Sequence, residues 1–172
     1  MNDVMIDLET LDTLPTTVVL SIGMVEFNPE NGTIDKDGGV CLYPNLQEQL
    51  DMGRTVSGNT MEWWMKQGDE ARKSTFNVRR KSVTETCGEL RKFFSFMQRP
   101  MVWGNGSIFD IAILEHFMGY TQIPWKFYNV MDTRTLWRVH PYDKNKKGET
   151  AHTALEDAIA QAERVCEVWP KK

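Results

Sequence analysis

Residues 3–10, DVMIDLET, and residues 17–27, TVVLSIGMVEF, decide the fold of this chain. Val4–Asp7 is a short apolar run that ends on an acid, which predicts a buried strand. Thr17–Phe27 is β-branched and apolar, which predicts a second buried strand. The turn sequence Pro29-Glu30-Asn31-Gly32 then predicts a hairpin whose returning strand covers Thr33–Tyr43. The chain therefore begins with a meander of strands.

Helices and short strands alternate through the rest of the chain. Helical patterns cover Gly58–Lys66, Thr84–Met97, Ile108–Met118, Thr133–Val139 and Thr153–Val168, and strand patterns cover Met101–Trp103 and Tyr128–Met131. A meander followed by alternating elements predicts a mixed β-sheet with helices on its faces, in the α/β class.

The composition is that of a globular protein in a reducing compartment. The chain has 172 residues, 41% hydrophobic and 26% charged, so we expect a single domain over residues 1–172. No apolar run approaches ~18 residues, which argues against a transmembrane helix. The start MNDVMIDLET lacks the basic residues of a signal peptide. The three cysteines are far apart, with no CxxC motif, and predict neither disulfides nor a zinc site. We expect a cytoplasmic location and no membrane partner.

Charge is unevenly distributed along the chain. The net charge of −4 argues against a protein that coats nucleic acid. Residues 1–62 nevertheless hold eleven acids and two bases, whereas residues 66–92 hold eight bases and four acids. Two interpretations stay open: a metal-binding pocket beside a track for phosphates, or a solvated helix face.

Two acids stand at the end of the first predicted strand, in the sequence IDLET. Asp7 and Glu9 are spaced i, i+2, so both side chains point to one face of an extended chain. Two carboxylates held together repel each other, and a hard divalent cation relieves that repulsion. The alternative is a strand end with two solvated acids.

A third acid, Asp110, lies in the sequence GNGSIFD. The glycines allow a sharp turn after a strand, and Asp110 then falls in the first turn of a helix. Acids are common there because they complement the helix dipole, so capping is one interpretation. Phe109 and Ile111 flank the acid and indicate that this turn is partly buried. A buried acid needs a partner, which favours a functional site.

The last helix begins at HTALEDAIAQA, which contains His152 and Asp157. Ala154, Ala158 and Ala162 give this helix a small-residue face that allows close approach to the sheet. Close approach would let Asp157 reach a site at the strand edge. Taken alone, His152 is interpreted equally well as an exposed loop histidine, and Asp157 as a partner of the helix dipole.

In chain order, DxE after the first strand, FD on a later helix and H-x-A-x-x-D at the last helix resemble the histidine-bearing (DEDDh) branch of the DEDD superfamily of 3′–5′ exonucleases. That superfamily includes RNase T, oligoribonuclease and polymerase proofreading subunits. WWMKQ, GNGSIFD and HTALEDAIAQA look most like a compact bacterial and phage sub-family that includes a mycobacterial exoribonuclease. The resemblance runs from Asp7 to Ala162. It implies an RNase-H-like, DnaQ-like fold with a mixed β-sheet flanked by helices.

The resemblance also implies the catalytic roles. Asp7, Glu9, Asp110 and Asp157 would bind two Mg²⁺ or Mn²⁺ ions, and His152 would be the general base. Carboxylate oxygens suit these hard cations, and two such ions can stabilise both the attacking and the leaving oxygens of a phosphodiester. A histidine with a pKa near ~6.5 can accept the proton of the attacking water at neutral pH.

Four further residues are candidates for contact with substrate. Thr10 and Leu11 follow Glu9 and match positions that meet the terminal sugar and base in the superfamily. Asn105 is near the asparagine that precedes the FD pair, although the chain has GNGSIFD in place of a bare N-x-x-FD. Trp64, in WWMKQ, is interpreted either as a surface that stacks on a base or as a core residue.

The implied reaction is hydrolysis of single-stranded DNA or RNA from the 3′ end to nucleoside 5′-monophosphates. The residues do not decide between RNA and DNA, because no contact to a 2′-hydroxyl is identifiable. Three alternatives stay open: an exoribonuclease specialised for RNA or short oligonucleotides, a catalytically inactive module that binds strand ends, and an adaptor whose acids only cap helices. Analogy with relatives suggests a homodimer.

Overall fold

The computed structural model describes residues 2–141 and 153–170. Within these residues, helices pack against a mixed β-sheet. Six strands form the sheet within these residues: β1 (Asp3–Thr10), β2 (Val19–Asn28), β3 (Thr33–Ile34), β4 (Val40–Leu42), β5 (Met101–Gly104) and β6 (Val130–Asp132). Seven α-helices accompany them there: α1 (Leu46–Asp51), α2 (Gly58–Met65), α3 (Asp69–Phe76), α4 (Val83–Phe94), α5 (Ser107–Phe117), α6 (Thr133–Val139) and α7 (Ala154–Val168). A 3₁₀ turn at Phe127–Asn129 precedes β6.

Strand β1 lies in the middle of the sheet. It pairs antiparallel with β2 on one side and parallel with β5 on the other, and β5 pairs parallel with β6. The short strands β3 and β4 pair antiparallel with β2. Because β1, β5 and β6 are parallel, their carboxyl ends share one edge of the sheet, where ligand sites of α/β sheets commonly form. The starts of α5 and α6 follow at this edge.

Alternation along β1 separates its side chains between two helical layers. Val4, Ile6 and Leu8 are buried in a cluster with apolar residues of α4 and α5. Met5 points to the other side, into a cluster with Ala158, Ala162 and Val165 of α7. Since side chains alternate along a strand, Asp7 and Glu9 follow Met5 towards the α7 side.

The predicted fold class is confirmed, although several elements differ in extent from the prediction or were missed. The returning strand predicted over Thr33–Tyr43 is divided into β3 and β4, because Asp35 accepts a hydrogen bond from the backbone of Gly38 (3.0 Å) and closes a turn there. Helix α4 ends at Phe94 rather than Met97. Helices α1 and α3 were not predicted.

Capping side chains mark the starts of several helices. Ser82 and Glu85 form a reciprocal capping box at α4. Asp132 caps α6 by accepting from Thr135 N–H, and Thr153 caps α7 by accepting from Glu156 N–H. In the described part of the chain, no helix combines the length and apolar character needed to span a bilayer.

Candidate active site

Three carboxylates meet at the carboxyl end of β1. Asp7 and Glu9 come from the strand, and Asp157 comes from the first turn of α7. One carboxylate oxygen from each lies within 4.8 Å of the others, and all three side chains are half-buried. The structure therefore brings together acids that are about 150 positions apart in sequence.

Gly23 of β2 allows α7 to come this close. It lies directly opposite Asp7 in the antiparallel ladder. A Cβ on Gly23 would lie 2.1 Å from the carbonyl carbon of Ala154 and 2.4 Å from the backbone nitrogen of Leu155. The first turn of α7 thus occupies the space that any side chain at this position would need. The small-residue face of α7 was predicted, but its counterpart on the sheet was not.

Asp110 approaches the same edge from α5. It lies in the first turn of that helix and is 2% exposed. A Cβ on Gly104, the last residue of β5, would lie 3.1 Å from both the Cβ and the Oδ2 of Asp110. This close packing holds Asp110 against the strand end. Asp110 is not part of the group of three within 4.8 Å, but its charge acts on Asp7 and Glu9.

Burial and mutual repulsion raise the pKa of these acids. Burial raises the pKa of Asp7 well above its ordinary value, and the charges of Asp110, Glu9 and Asp157 raise it further. Burial, followed by the charges of Asp157 and Asp110, raises the pKa of Glu9 to about 8. Burial also raises the pKa of Asp110, against the opposing effect of the backbone amides of Leu8 and Asn105. A cation between these groups would reverse the repulsion.

Gln161 is the polar residue of this site that the sequence analysis missed. Its Nε2 donates a hydrogen bond to Oδ1 of Asp7 at 2.7 Å, and its side chain is only 5% exposed. Gln161 lies one helical turn after Asp157, so both side chains project from the same face of α7. That face therefore supplies a hydrogen bond to Asp7 and the carboxylate of Asp157. The i, i+4 spacing from Asp157 was the available signal.

The donor set fits a hard divalent cation. Mg²⁺ and Mn²⁺ prefer carboxylate oxygens, and three acids of the described residues supply such oxygens. These residues can therefore hold a metal ion.

Comparison with models of known protein families identifies the family of this chain. Residues 2–169 match the model of the Rv2179c-like domain, described as a 3′-5′ exoribonuclease domain. The chain belongs to this family. The resemblance to a compact exonuclease sub-family with a mycobacterial exoribonuclease is thereby confirmed.

Solved structures show the same fold. The crystal structure of cell-death related nuclease 4 (CRN-4) matches with a TM-score of 0.63 at 13% identity, over 96% of this chain and 62% of that one. The Rv2179c-like domain thus spans less than two thirds of that nuclease. Among curated proteins, no sequence matches it significantly.

Two of the candidate substrate residues in this Rv2179c-like domain are largely buried beside the acids. Thr10 is 7% exposed, and its hydroxyl donates to the carbonyl of Asp12 at 2.7 Å. Leu11 is 7% exposed and packs with Val18 and Leu20. Thr10 is the last residue of β1 and Leu11 follows it, so both buried residues lie next to Glu9 along the chain.

The structure favours the core interpretation of Trp64 over the stacking one. Trp64 is 3% exposed, packs with Leu11, and donates its indole N–H to the carbonyl of Thr10 at 2.9 Å. Its neighbour Trp63 is 46% exposed and meets the Trp64 ring edge-on. Adjacent residues of a helix point about 100° apart, and the burial of α2 selects Trp64 for the core.

Asn105 joins the starts of α5 and α6. Its Oδ1 accepts from the hydroxyl of Thr133 at 3.3 Å and from Nε of Arg134 at 3.4 Å. Asp132 reinforces this junction, since its Oδ2 accepts from the backbone N–H of Ser107 at 2.6 Å. His152, the predicted general base, lies outside the described residues.

Proposed function

We propose that this domain removes nucleotides one at a time from the 3′ end of single-stranded nucleic acid and releases nucleoside 5′-monophosphates. The observation that carries the proposal is the meeting of Asp7, Glu9 and Asp157 within 4.8 Å. Membership of a family described as 3′-5′ exoribonucleases supports it. We favour RNA over DNA on that description.

In this proposal Asp7, Glu9, Asp110 and Asp157 hold two Mg²⁺ or Mn²⁺ ions. When bound, such a pair supplies positive charge that stabilises the attacking and leaving oxygens of a phosphodiester. We infer that Asp7 contacts both ions, because the charges of the other three acids all act on it and raise its pKa in addition to the larger effect of burial. Gln161 restrains the Asp7 carboxylate through its hydrogen bond to Oδ1.

His152 is the proposed general base. It directly precedes Thr153, the N-cap of α7, and Asp157 lies in the first turn of that helix. A neutral imidazole can accept the proton of the attacking water. The H-x-A-x-x-D resemblance is the support for this role.

The 3′ end of the nucleic acid is proposed to bind at the carboxyl end of β1 and the residue that follows it. Thr10 and Leu11 would meet the terminal sugar and base, and Asn105 would help to hold the site. Trp64 would act through Thr10, whose carbonyl accepts its indole hydrogen bond. Few phosphates need to be neutralised at the end of a strand. We therefore expect the affinity for nucleic acid to fall less steeply with salt concentration than that of a protein that coats nucleic acid. A cytoplasmic homodimer remains our prediction for the cellular form.

Digestion of labelled oligomers tests the proposal. RNA and DNA, single- and double-stranded, carry a label at the 3′ or the 5′ end and are incubated with Mg²⁺, Mn²⁺ or a chelator. We expect immediate release of the 3′ label as a mononucleotide, only with metal, and faster on single-stranded RNA. Release of the 5′ label first, internal cleavage, or activity in chelator would refute it. Asp37→Asn, at an exposed acid, is the control for Asp7→Asn.

A further inference from the structure

A cavity of about 360 Å³ with a mixed polar and apolar lining lies away from the carboxylates. Its walls come from the turn after α1, from α4 and from the end of α5. The polar lining consists of Arg54, Thr84, Cys87, Arg91 and His116, and the ring of Phe117 forms part of the apolar wall. None of the four acids of the candidate active site lines this cavity.

Arg54 is a buried cation whose hydrogen bonds go to uncharged groups. It is 8% exposed, and it donates to the carbonyls of Thr17 at 2.6 Å and Pro15 at 3.2 Å. Its Nη1 lies 3.0 Å from Nδ1 of His116, and its guanidinium stacks 5.4 Å from the Phe117 ring centroid. Burial lowers the pKa of Arg54 to about 10. A buried charge without a counter-ion is costly, so an anion beside Arg54 would be strongly favoured.

Arg91 adds a second guanidinium to the same cavity. Its Nε is buried and has no hydrogen-bond partner among the described residues. The ion pairs found in the described ranges, 2–141 and 153–170, leave out both Arg54 and Arg91. No described carboxylate lines the cavity. Two positive charges thus face one space without a negative partner in the described chain.

The remaining polar groups of the cavity are donors. A guanidinium only donates hydrogen bonds, so Nδ1 of His116 must accept from Arg54. The ring is therefore neutral, with its proton on Nε2. The Thr84 hydroxyl and the Cys87 thiol can also donate, and burial raises the pKa of that thiol so that it keeps its proton.

We propose that this cavity binds a phosphate group between Arg54 and Arg91. Guanidinium groups bind phosphate oxygens through paired, charge-assisted hydrogen bonds, and a tetrahedral oxyanion accepts donors from several directions at once. The phosphate comes either from the backbone of a bound nucleic-acid strand or from a free phosphate or nucleotide. The inference does not depend on the catalytic proposal, because it uses none of the acids of that site.

Calorimetric titration with inorganic phosphate tests the pocket, in chelator so that no metal at the carboxylates can bind the anion. We expect saturable binding to the wild-type protein and a loss of about tenfold or more in affinity for Arg91→Gln, which removes one charged hydrogen-bond donor. Arg91→Lys keeps the positive charge but loses the paired donors of the planar guanidinium. We expect this variant to bind phosphate with intermediate affinity. Arg79→Gln, at an exposed arginine outside the cavity, should bind as wild type.

The source of the phosphate is identified by two further titrations in chelator, with a nucleoside 5′-monophosphate and with a single-stranded oligonucleotide. If the cavity binds the backbone of a nucleic-acid strand, Arg91→Gln should weaken binding of the oligonucleotide. If it binds free phosphate or a nucleotide, Arg91→Gln should weaken binding of phosphate and of the mononucleotide only. Equal affinity of wild type and Arg91→Gln for all three probes would overturn the proposal, as would no binding of any. The melting temperature of each variant is measured without ligand, so that a loss of binding is not mistaken for a loss of folding. We expect Arg91→Gln to melt near the wild-type temperature, because Nε of Arg91 makes no hydrogen bond to the described residues.

Discussion

Gly23 faces Asp7 across the β1–β2 ladder, and the space that a Gly23 side chain would occupy is filled by the backbone of Ala154 and Leu155. The residue opposite one carboxylate therefore determines how near the helix that bears another can come. Asp157 reaches Asp7 and Glu9 because α7 sits directly on this glycine. The geometry of the acid cluster thus depends on a residue without any functional group.

Gly23→Ala is expected to damage both the fold and the acid cluster. Its methyl group would lie within 2.4 Å of three backbone atoms, none of which can rotate away. Overpacking of this kind costs about 1–3 kcal/mol. We expect lower thermal stability and weaker Mn²⁺ binding by calorimetry. Gly58→Ala is the matched control, because no atom lies within 4 Å of its added methyl. Equal stability of the two variants would show that α7 is not held at Gly23.

Gln161→Leu separates metal binding from stability. The change removes the hydrogen bond to Asp7 and also removes Oε1, which has no partner among the described residues. Stability should therefore change little. Loss of such an orienting contact typically weakens metal binding 10–100-fold, so we expect at least a tenfold weaker affinity for Mn²⁺ by titration. Gln98→Leu, at an exposed glutamine, is the control. Unchanged affinity would leave Gln161 with a packing role only.

Asp7→Asn and Asp157→Asn are expected to abolish hydrolysis and to raise the melting temperature in chelator. Each change removes one charge from a cluster in which the acids repel one another. Wild type should gain stability with Mn²⁺, because a ligand that binds only the native state stabilises it, whereas the variants should gain little. Full activity in either variant would remove that residue from the site.

The stability of the metal-free protein should depend on pH in an unusual direction. The Glu9 pKa is raised from 4.5 to about 8 in the folded chain, so between these values the native state binds the proton that the unfolded state has released. The free energy of unfolding in chelator therefore falls as pH rises from 4.5 to about 8. Glu9→Gln should flatten this dependence, as seen in denaturant titrations at several pH values. A fall in the variant as steep as that of the wild type would show that Glu9 does not cause this pH dependence.

His152→Ala should lower the hydrolysis rate ~10²–10⁴-fold, the usual contribution of one general base. Wild-type activity should rise with pH through the titration of the imidazole, and the variant should lose this rise. Mn²⁺ affinity should not change, since His152 is not a proposed ligand. A variant with the wild-type rate would indicate that the water is activated without this histidine.

Local patterns predicted much of this fold and of the acid cluster. Alternation and β-branched residues are visible in β1 and β2, and the alanines of α7 indicated close packing. Gly23 and Gln161 were missed because their importance arises from a contact between distant elements. Helix α1 was missed for a similar reason: its Gln49 is fully buried and bonds both the N–H and the carbonyl of Val19 across the fold, a tertiary contact that no periodicity shows.

The most direct test of the central claim is the anomalous scattering of manganese in crystals grown with Mn²⁺ and a nucleoside 5′-monophosphate. The account predicts two manganese peaks among Asp7, Glu9, Asp110 and Asp157, with the nucleotide phosphate in contact with both ions. Manganese elsewhere, or no peak at these four carboxylates at a saturating concentration, would contradict it.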